Sequence, residues 1–152
     1  MLWNYRGNPA EKADFRDNLI ADIANIEQGM RIALIGVVNP LIAAIRKRGG
    51  TCLPCDLQME RTQWGDPVEK DMEKVLDSAD GVICTGMTLS NGTFDRVVER
   101  VLERNIPLTV YAQTGSAVAA RFVGNGITSL LAESFPFSQF SANATRVFCY
   151  KG

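Results

Sequence analysis

The sequence predicts an α/β fold: a doubly wound, mostly parallel sheet with helices on both faces and an N-terminal helix. Two observations carry this. Short, continuous apolar runs recur at "RIALIG" (31–36), "DGVICTG" (80–86) and "PLTVYA" (107–112). Strands that are apolar at every position are covered on both faces, as in a parallel sheet. Between these runs lie segments of helical periodicity, and alternation of strand with helix is the signature of parallel βαβ units.

Helix starts are written clearly. "NPAE" (8–11) and "DPVE" (66–69) each offer a cap side chain, a proline at the first helical position and a glutamate soon after. The first helix is expected over residues 9–27, with Phe15, Leu19, Ile23 and Ile26 on one face and Gly29 ending it. A strand at 31–36 follows, then a helix at 40–48 opened by Asn39-Pro40 and closed by Gly49-Gly50. "TCLPCD" (51–56) reads as a second, poorer strand, followed by a loop containing Trp64 and a helix from Pro67. Strands at 80–86 and 107–112 flank a helix at 92–104. A helix at 115–123 stops at "GNG", and "ITSLL" (127–131) and "TRVFCY" (145–150) complete the series. No repeat or linker interrupts the chain, so a single compact domain is expected, with residues 1–29 as a helical extension and 30–152 as the α/β unit.

Composition narrows the function. The chain has 152 residues, 46% hydrophobic and 22% charged, ordinary for a globular protein. Sixteen basic and seventeen acidic residues give a net charge of −1, which carries no footprint for nucleic acid. No apolar run has the length of a membrane span, and "MLWNYRGNPAEK" lacks a signal-peptide pattern. The four cysteines are therefore expected as thiols in a reducing cytoplasm. There is no histidine, which excludes a histidine triad, a histidine base and any imidazole-ligated metal.

Ligands of such sheets bind outside the carboxyl ends of the strands, where strand order reverses. The predicted strand exits are Gly36 to Asn39, Asp56, Thr85-Gly86, and Gln113-Thr114. The stretch "TGMTLSNGT" (85–93) is longer and more polar than a helix cap requires. Its small residues permit close backbone approach, and the following helix N-terminus offers N–H groups to an anion. Caps and turns use the same residue types, so the structural explanation stands beside this one. The candidate ligand-binding residues are Gly36, Asn39, Asp56, Thr85, Gly86, Ser90, Asn91, Gly92, Thr93, Gln113 and Thr114. An acid closing the second strand is a feature of dinucleotide folds, but "GVVNPL" lacks the glycine-rich phosphate loop.

"CLPC" (52–55) is a C-x-x-C, yet positions three apart on a strand face opposite sides, which disfavours a shared metal. Arg96, Arg100 and Arg104 recur every fourth residue and read as a solvated face, with Val97, Val98, Val101 and Leu102 inward. The aromatic loop "ESFPFSQF" (133–140) reads as ordinary packing, with a crevice cover or an oligomer contact as alternatives.

The strand "IALIG", the acid closing strand two, the following "GDP", then "SADGVICTGMTLSNGTFDRVVE" and "PLTVYAQTGSAVAARFVGNGI" together resemble the Rossmann-like domain of the putative heavy-metal-chelation family, whose function is unknown. The resemblance runs over roughly residues 30–132, with 80–93 the most specific part. It implies a Rossmann-like sheet whose ligand site uses the turns after strands three and four. Members usually carry a separate N-terminal domain, where here about thirty residues precede strand one. A site between domains would then need a wall from a second subunit. The turn Gln113-Thr114-Gly115-Ser116 also departs from the family's Gly-Pro-Ser-type turn.

The expected function is a cytoplasmic Rossmann-like binding domain for a small anionic molecule or chelated metal. The alternative is an adenosyl-cofactor-dependent enzyme of methyl-transfer or cofactor-assembly type in the same crevice, and a third is an accessory subunit without ligand. No catalytic residue, metal ligand or cofactor is assigned. The expected partners are a small-molecule or metal-complex ligand and a second copy of the chain, without nucleic acid or membrane. The Phe15/Leu19/Ile23 stripe is the candidate assembly face.

Overall fold

The computed structural model describes residues 2–5, 9–85, 92–112, 119–133 and 145–152, with side chains from residue 16 onward, those of 145 and 146 excepted. Seven strands and four helices are described: β1 (Leu2–Tyr5), α1 (Pro9–Ile23), β2 (Arg31–Ile35), α2 (Asn39–Lys47), β3 (Thr51–Cys55), α3 (Met72–Ser78), β4 (Gly81–Thr85), α4 (Phe94–Arg104), β5 (Leu108–Ala112), β6 (Ser129–Glu133) and β7 (Thr145–Lys151). They form one sheet of order β1-β7-β6-β5-β4-β2-β3. β2 pairs in parallel with β3 and β4, and parallel pairing continues through β5 to β6. β7 runs antiparallel to β6 and β1.

Burial on both faces explains the uniformly apolar strands. Ala33, Ile35, Cys55, Val82, Cys84 and Val110 face the layer built with α3 and α4, where Leu76, Val97 and Val101 pack against them. Ile32, Leu34, Ile83, Tyr111 and Leu131 face the opposite layer, with Ile20, Leu41, Ile42 and Ile45 of α1 and α2. Leu34, Leu41, Ile42, Ile83 and Leu130 are wholly or almost wholly removed from water. Each such side chain contributes roughly 1.5–3 kcal/mol of burial.

The first helix ends at Ile23, short of the expected residue 27, because Asn25 turns into the left-handed region at φ 51°. Leu19 and Ile23 pack against the core and are spent there; Phe15 lies outside the described side chains. The expected start at Pro67 is corrected. Glu69 N–H bonds Pro54 O (2.9 Å) and Asp56 N–H bonds Glu69 O (3.1 Å), so this segment lines the open edge of β3. Asp66 caps nothing: its carboxylate pairs with Arg46 at 2.6 Å and accepts from Thr62 Oγ1 at 3.0 Å. The cap of α3 is Asp71, whose side chain accepts from Glu73 N–H.

β1 was not anticipated. It is a four-residue strand paired with β7 at the sheet's border. The arginine row of α4 is also not merely solvated. Arg96 and Arg100 reach Glu73 of α3, Arg100 also meets Asp77, and Arg104 donates to the Leu76 and Ala79 carbonyls that end α3. Leu102 lies 61% exposed rather than inward, because Phe94, Val97 and Val101 already fill the buried stripe. Of the helix expected at 115–123, a 3₁₀ turn at Ala120–Phe122 is described, and residues 113–118 lie outside the described set.

Candidate functional site

The chain leaves β2 outward to β3, then returns past β2 to β4. Helices accordingly change face: α2 lies on one side, α3 and α4 on the other. Strand order reverses between β2 and β4, and the carboxyl ends of these strands diverge there into a crevice. A cavity of about 320 Å³ occupies it, within the usual size of small-molecule sites.

Four of the sequence-predicted residues line this cavity: Gly36, Asp56, Thr85 and Thr93. Gly36 ends β2 at φ +85°, and a Cβ there would lie 2.4 Å from Thr85 Oγ1. Only a residue without a side chain lets the β2 and β4 exits approach so closely. Gly36 N–H bonds Cys55 O at 2.9 Å, holding the β2 exit against β3.

Asp56 accepts three backbone bonds. Oδ2 accepts from Val37 N–H at 2.9 Å, while Oδ1 accepts from Gln58 N–H at 2.8 Å and Met59 N–H at 3.3 Å. It ties the turn after β2 to the turn after β3. A carboxylate offers about four acceptor positions, so roughly one is left toward the cavity.

Asn39 does not line the cavity. Its Oδ1 accepts from Gln63 N–H at 3.0 Å, anchoring the Thr62–Asp66 hairpin turn on α2. Arg46 completes that anchorage, with its guanidinium 4.8 Å from the Trp64 ring centroid. Gly92 is exposed at φ +78°, and a Cβ there would meet no described residue within 4 Å. Gly86, Ser90, Asn91, Gln113 and Thr114 lie outside the described residues.

Thr93 precedes α4, and its side chain makes no capping bond. The first-turn N–H groups of a helix have no intrahelical acceptor, so this end attracts negative charge. Asp95 in the same turn is exposed and opposes the attraction weakly through solvent.

The far wall was missed in the sequence. It is made by Leu57, Gln58, Lys70 and Met72, with Ile35 and Cys55 beneath. The sequence predicts a helix from Pro67 and assigns no ligand role to Lys70 or Met72. The Asp71-Met72-Glu73 cap was the available signal. Lys70 Nζ donates to the Leu57 and Met59 carbonyls at 3.1 and 2.9 Å and pairs with Glu60 at 3.2 Å. Its charge therefore braces the 57–60 loop.

Cys52 packs toward α2 and Cys55 toward α3, on opposite faces as the strand period requires. Burial pushes Cys52 up to about 12, with Asp66 adding to it against Arg46. Burial also pushes Cys55 up to about 11, reinforced by Glu69, Asp56 and Asp71 and opposed by Lys70. Both remain neutral thiols near pH 7. The unfolded thiols titrate near 9.0. Above that pH the unfolded chain loses protons that the folded chain keeps, so stability falls as pH rises from 9 toward 11–12. Each thiol is expected to withdraw about 1 kcal/mol by roughly pH 10. Urea unfolding at pH 7 and pH 10 measures this. The Cys52→Ala, Cys55→Ala double variant should show a smaller alkaline loss, and an unchanged loss would contradict the assignment.

Among the described residues no group of three cysteine, aspartate or glutamate side chains is placed to hold a metal ion, and no helix is long and apolar enough to cross a membrane.

The same fold occurs in solved structures. A protein of unknown function from Desulfitobacterium hafniense DCB-2, of the DUF364 family, superposes with TM-score 0.66 at 18% identity, covering 85% of this chain and 55% of that one. A second DUF364 protein of unknown function, from Pyrococcus horikoshii, gives 0.64 at 17% identity, covering 81% and 54%. An Escherichia coli protein described as having a methionine aminotransferase function gives 0.60 at 10% identity, covering 96% and 41%. The chain thus spans about 55% of the first relative's length. At these identities the likeness shows the fold. Among curated proteins none matches the sequence. The model of the DUF364 family, described as "Putative heavy-metal chelation", matches residues 19–130, and with the Rossmann-like sheet in place the chain belongs to that family.

Proposed function

We propose that the crevice between the β2 and β4 exits binds a small organic molecule with an anionic end, or a metal ion held inside such a molecule. The observation that carries this reading is the convergence of Gly36, Asp56, Thr85 and Thr93 on one cavity at the reversal of strand order. Ile35, Cys55, Leu57 and Met72 give the cavity an apolar body. Polar groups at its margins orient the ligand. The N-terminus of α4 takes the anionic end.

A bare metal ion suits this cavity poorly. Cys55 is a neutral thiol, Cys52 faces the other side of the sheet, and Asp56 already accepts three backbone bonds. Soft and hard ions alike would find too few donors. A metal arriving in an organic chelator brings its own ligands.

Titration calorimetry with zinc–citrate and with free Zn²⁺ tests the reading. Zinc–citrate should bind and free zinc should bind only weakly. Gly92→Asn should weaken the complex, since asparagine tolerates the left-handed region while adding a side chain just before α4. Sub-micromolar, one-to-one binding of free zinc, abolished by Cys52→Ser with Cys55→Ser, would contradict it. Native mass spectrometry adds a second arm. A co-purified adenosyl compound would favour the enzyme alternative.

Cytoplasmic residence and a homo-oligomeric state belong to the same proposal. Cys52 and Cys55 are free thiols, which suits a reducing compartment. Leu19 and Ile23 of the α1 stripe pack against the core, so assembly falls to exposed side chains such as Leu102 and Tyr150, and sedimentation velocity reads it directly.

A further inference from the structure

We infer that Asp56 is the specificity residue of the crevice: its carboxylate occupies the anion seat at the β2–α2 turn, so phosphate-type groups are rejected there and that end is left to hydrogen-bond donors. The inference rests on the reading of the crevice as the ligand site.

In doubly wound folds the turn after the first strand is where backbone N–H groups and a helix N-terminus receive a ligand's phosphate. Here the two donors nearest the β2 exit are already committed. Val37 N–H gives its bond to Asp56 Oδ2 at 2.9 Å, and Gly36 N–H goes to Cys55 O. Position 38 is a valine, which has no capping group, and position 40 is a proline, which has no N–H. Leu41 and Ile42 N–H both bond Val38 O.

Charge points the same way. Asp56, Glu69 and Asp71 all act on the Cys55 thiol, against Lys70. Lys70 is itself engaged by Glu60 and two carbonyls, so the β3 side of the cavity is electronegative. A phosphate at the β2 exit would meet a carboxylate at hydrogen-bond distance from the N–H it needs. A hydroxyl or ammonium would meet an acceptor with a position to spare. The two ends of the cavity thus differ in sign, which orients a ligand that is anionic at one end only.

The test uses amide chemical shifts of the ¹⁵N-labelled full chain, with inorganic pyrophosphate as the probe. In the wild type the Val37 and Gln58 amides should stay unmoved. In Asp56→Asn, which keeps an acceptor oxygen and removes the charge, both should move and pyrophosphate affinity should rise by about tenfold or more. Movement of Val37 in the wild type would overturn the inference, and so would a folded Asp56→Asn with wild-type affinity. The wild-type arm decides by itself where the variant fails to fold. Failure here leaves the zinc–citrate result standing, and failure of zinc–citrate leaves the Val37 result standing.

Discussion

Replacing Arg16 with methionine is expected to remove about 3–5 kcal/mol of folding stability, the cost of breaking a buried ion pair by deleting one partner. Arg16 of α1 lies with its side chain 11% exposed, bonded through Nε and Nη2 to Asp17 Oδ1 at 3.1 Å. Its Nη1 stands 4.0 Å from Glu133 at the end of β6, and its guanidinium lies 5.1 Å from the Tyr111 ring centroid. Asp17 and Glu133 are 2% and 1% exposed. Methionine would conserve the packing and leave two carboxylates without their shared cation. Glu133 keeps the neutral Tyr111 hydroxyl, which donates to Oε2 at 2.8 Å. Burial and the adjoining Glu133 push that phenol well above its ordinary value, while Arg16 opposes, so it stays a donor. Adding Glu133→Gln to the Arg16→Met variant should therefore recover part of the loss. Urea denaturation measures both, and a loss under about 1 kcal/mol for the single variant would show that the cluster is solvated like a surface pair.

Gly36→Ala is expected to cost about 2–5 kcal/mol. An L-residue in the left-handed region costs roughly 1–2 kcal/mol, and overpacking a tight contact adds roughly 1–3 kcal/mol. The new methyl would stand 2.4 Å from Thr85 Oγ1 and 3.3 Å from its Cγ2. Thr85→Ala in the same chain removes both atoms and should return the packing share, leaving the backbone share. A double-mutant cycle separates them. Additive losses would mean that the β2 and β4 exits do not press on each other.

The layered sheet was legible because its strands are short and carry unbroken apolar runs, as at 32–35 and 81–84. That pattern follows directly from burial on both faces. β1 was not legible: four residues paired to a single neighbour carry little periodic signal. The false helix start at Pro67 shows the limit of cap motifs. Asp66-Pro67 has the residues of a helix start, but long-range bonds from Glu69 to Pro54 and Asp56 capture the backbone that a helix would use.

The site divides similarly. Gly36, Asp56, Thr85 and Thr93 sit at strand and helix ends, so topology alone brings them together. Asn39 belongs to the same turn, yet its side chain serves Gln63, a partner twenty-four positions away that no local pattern reveals. Lys70 and Met72 reach the cavity only because residues 57–71 fold back along β3. Asp56 was legible as the acid that closes the second strand of the series. Its bonds to Val37, Gln58 and Met59 depend on the close packing of two strand exits.

The central claim is that ligand enters between the β2 and β4 exits. Amide chemical-shift mapping of the full chain with zinc–citrate tests it most directly. The account predicts shifts centred on Gly36, Gln58, Thr85, Thr93 and the first turn of α4, saturating together with one dissociation constant. Shifts confined to the opposite edge of the sheet, around Asn105, Gly126 and Thr128, or no saturable shift at all, would contradict it.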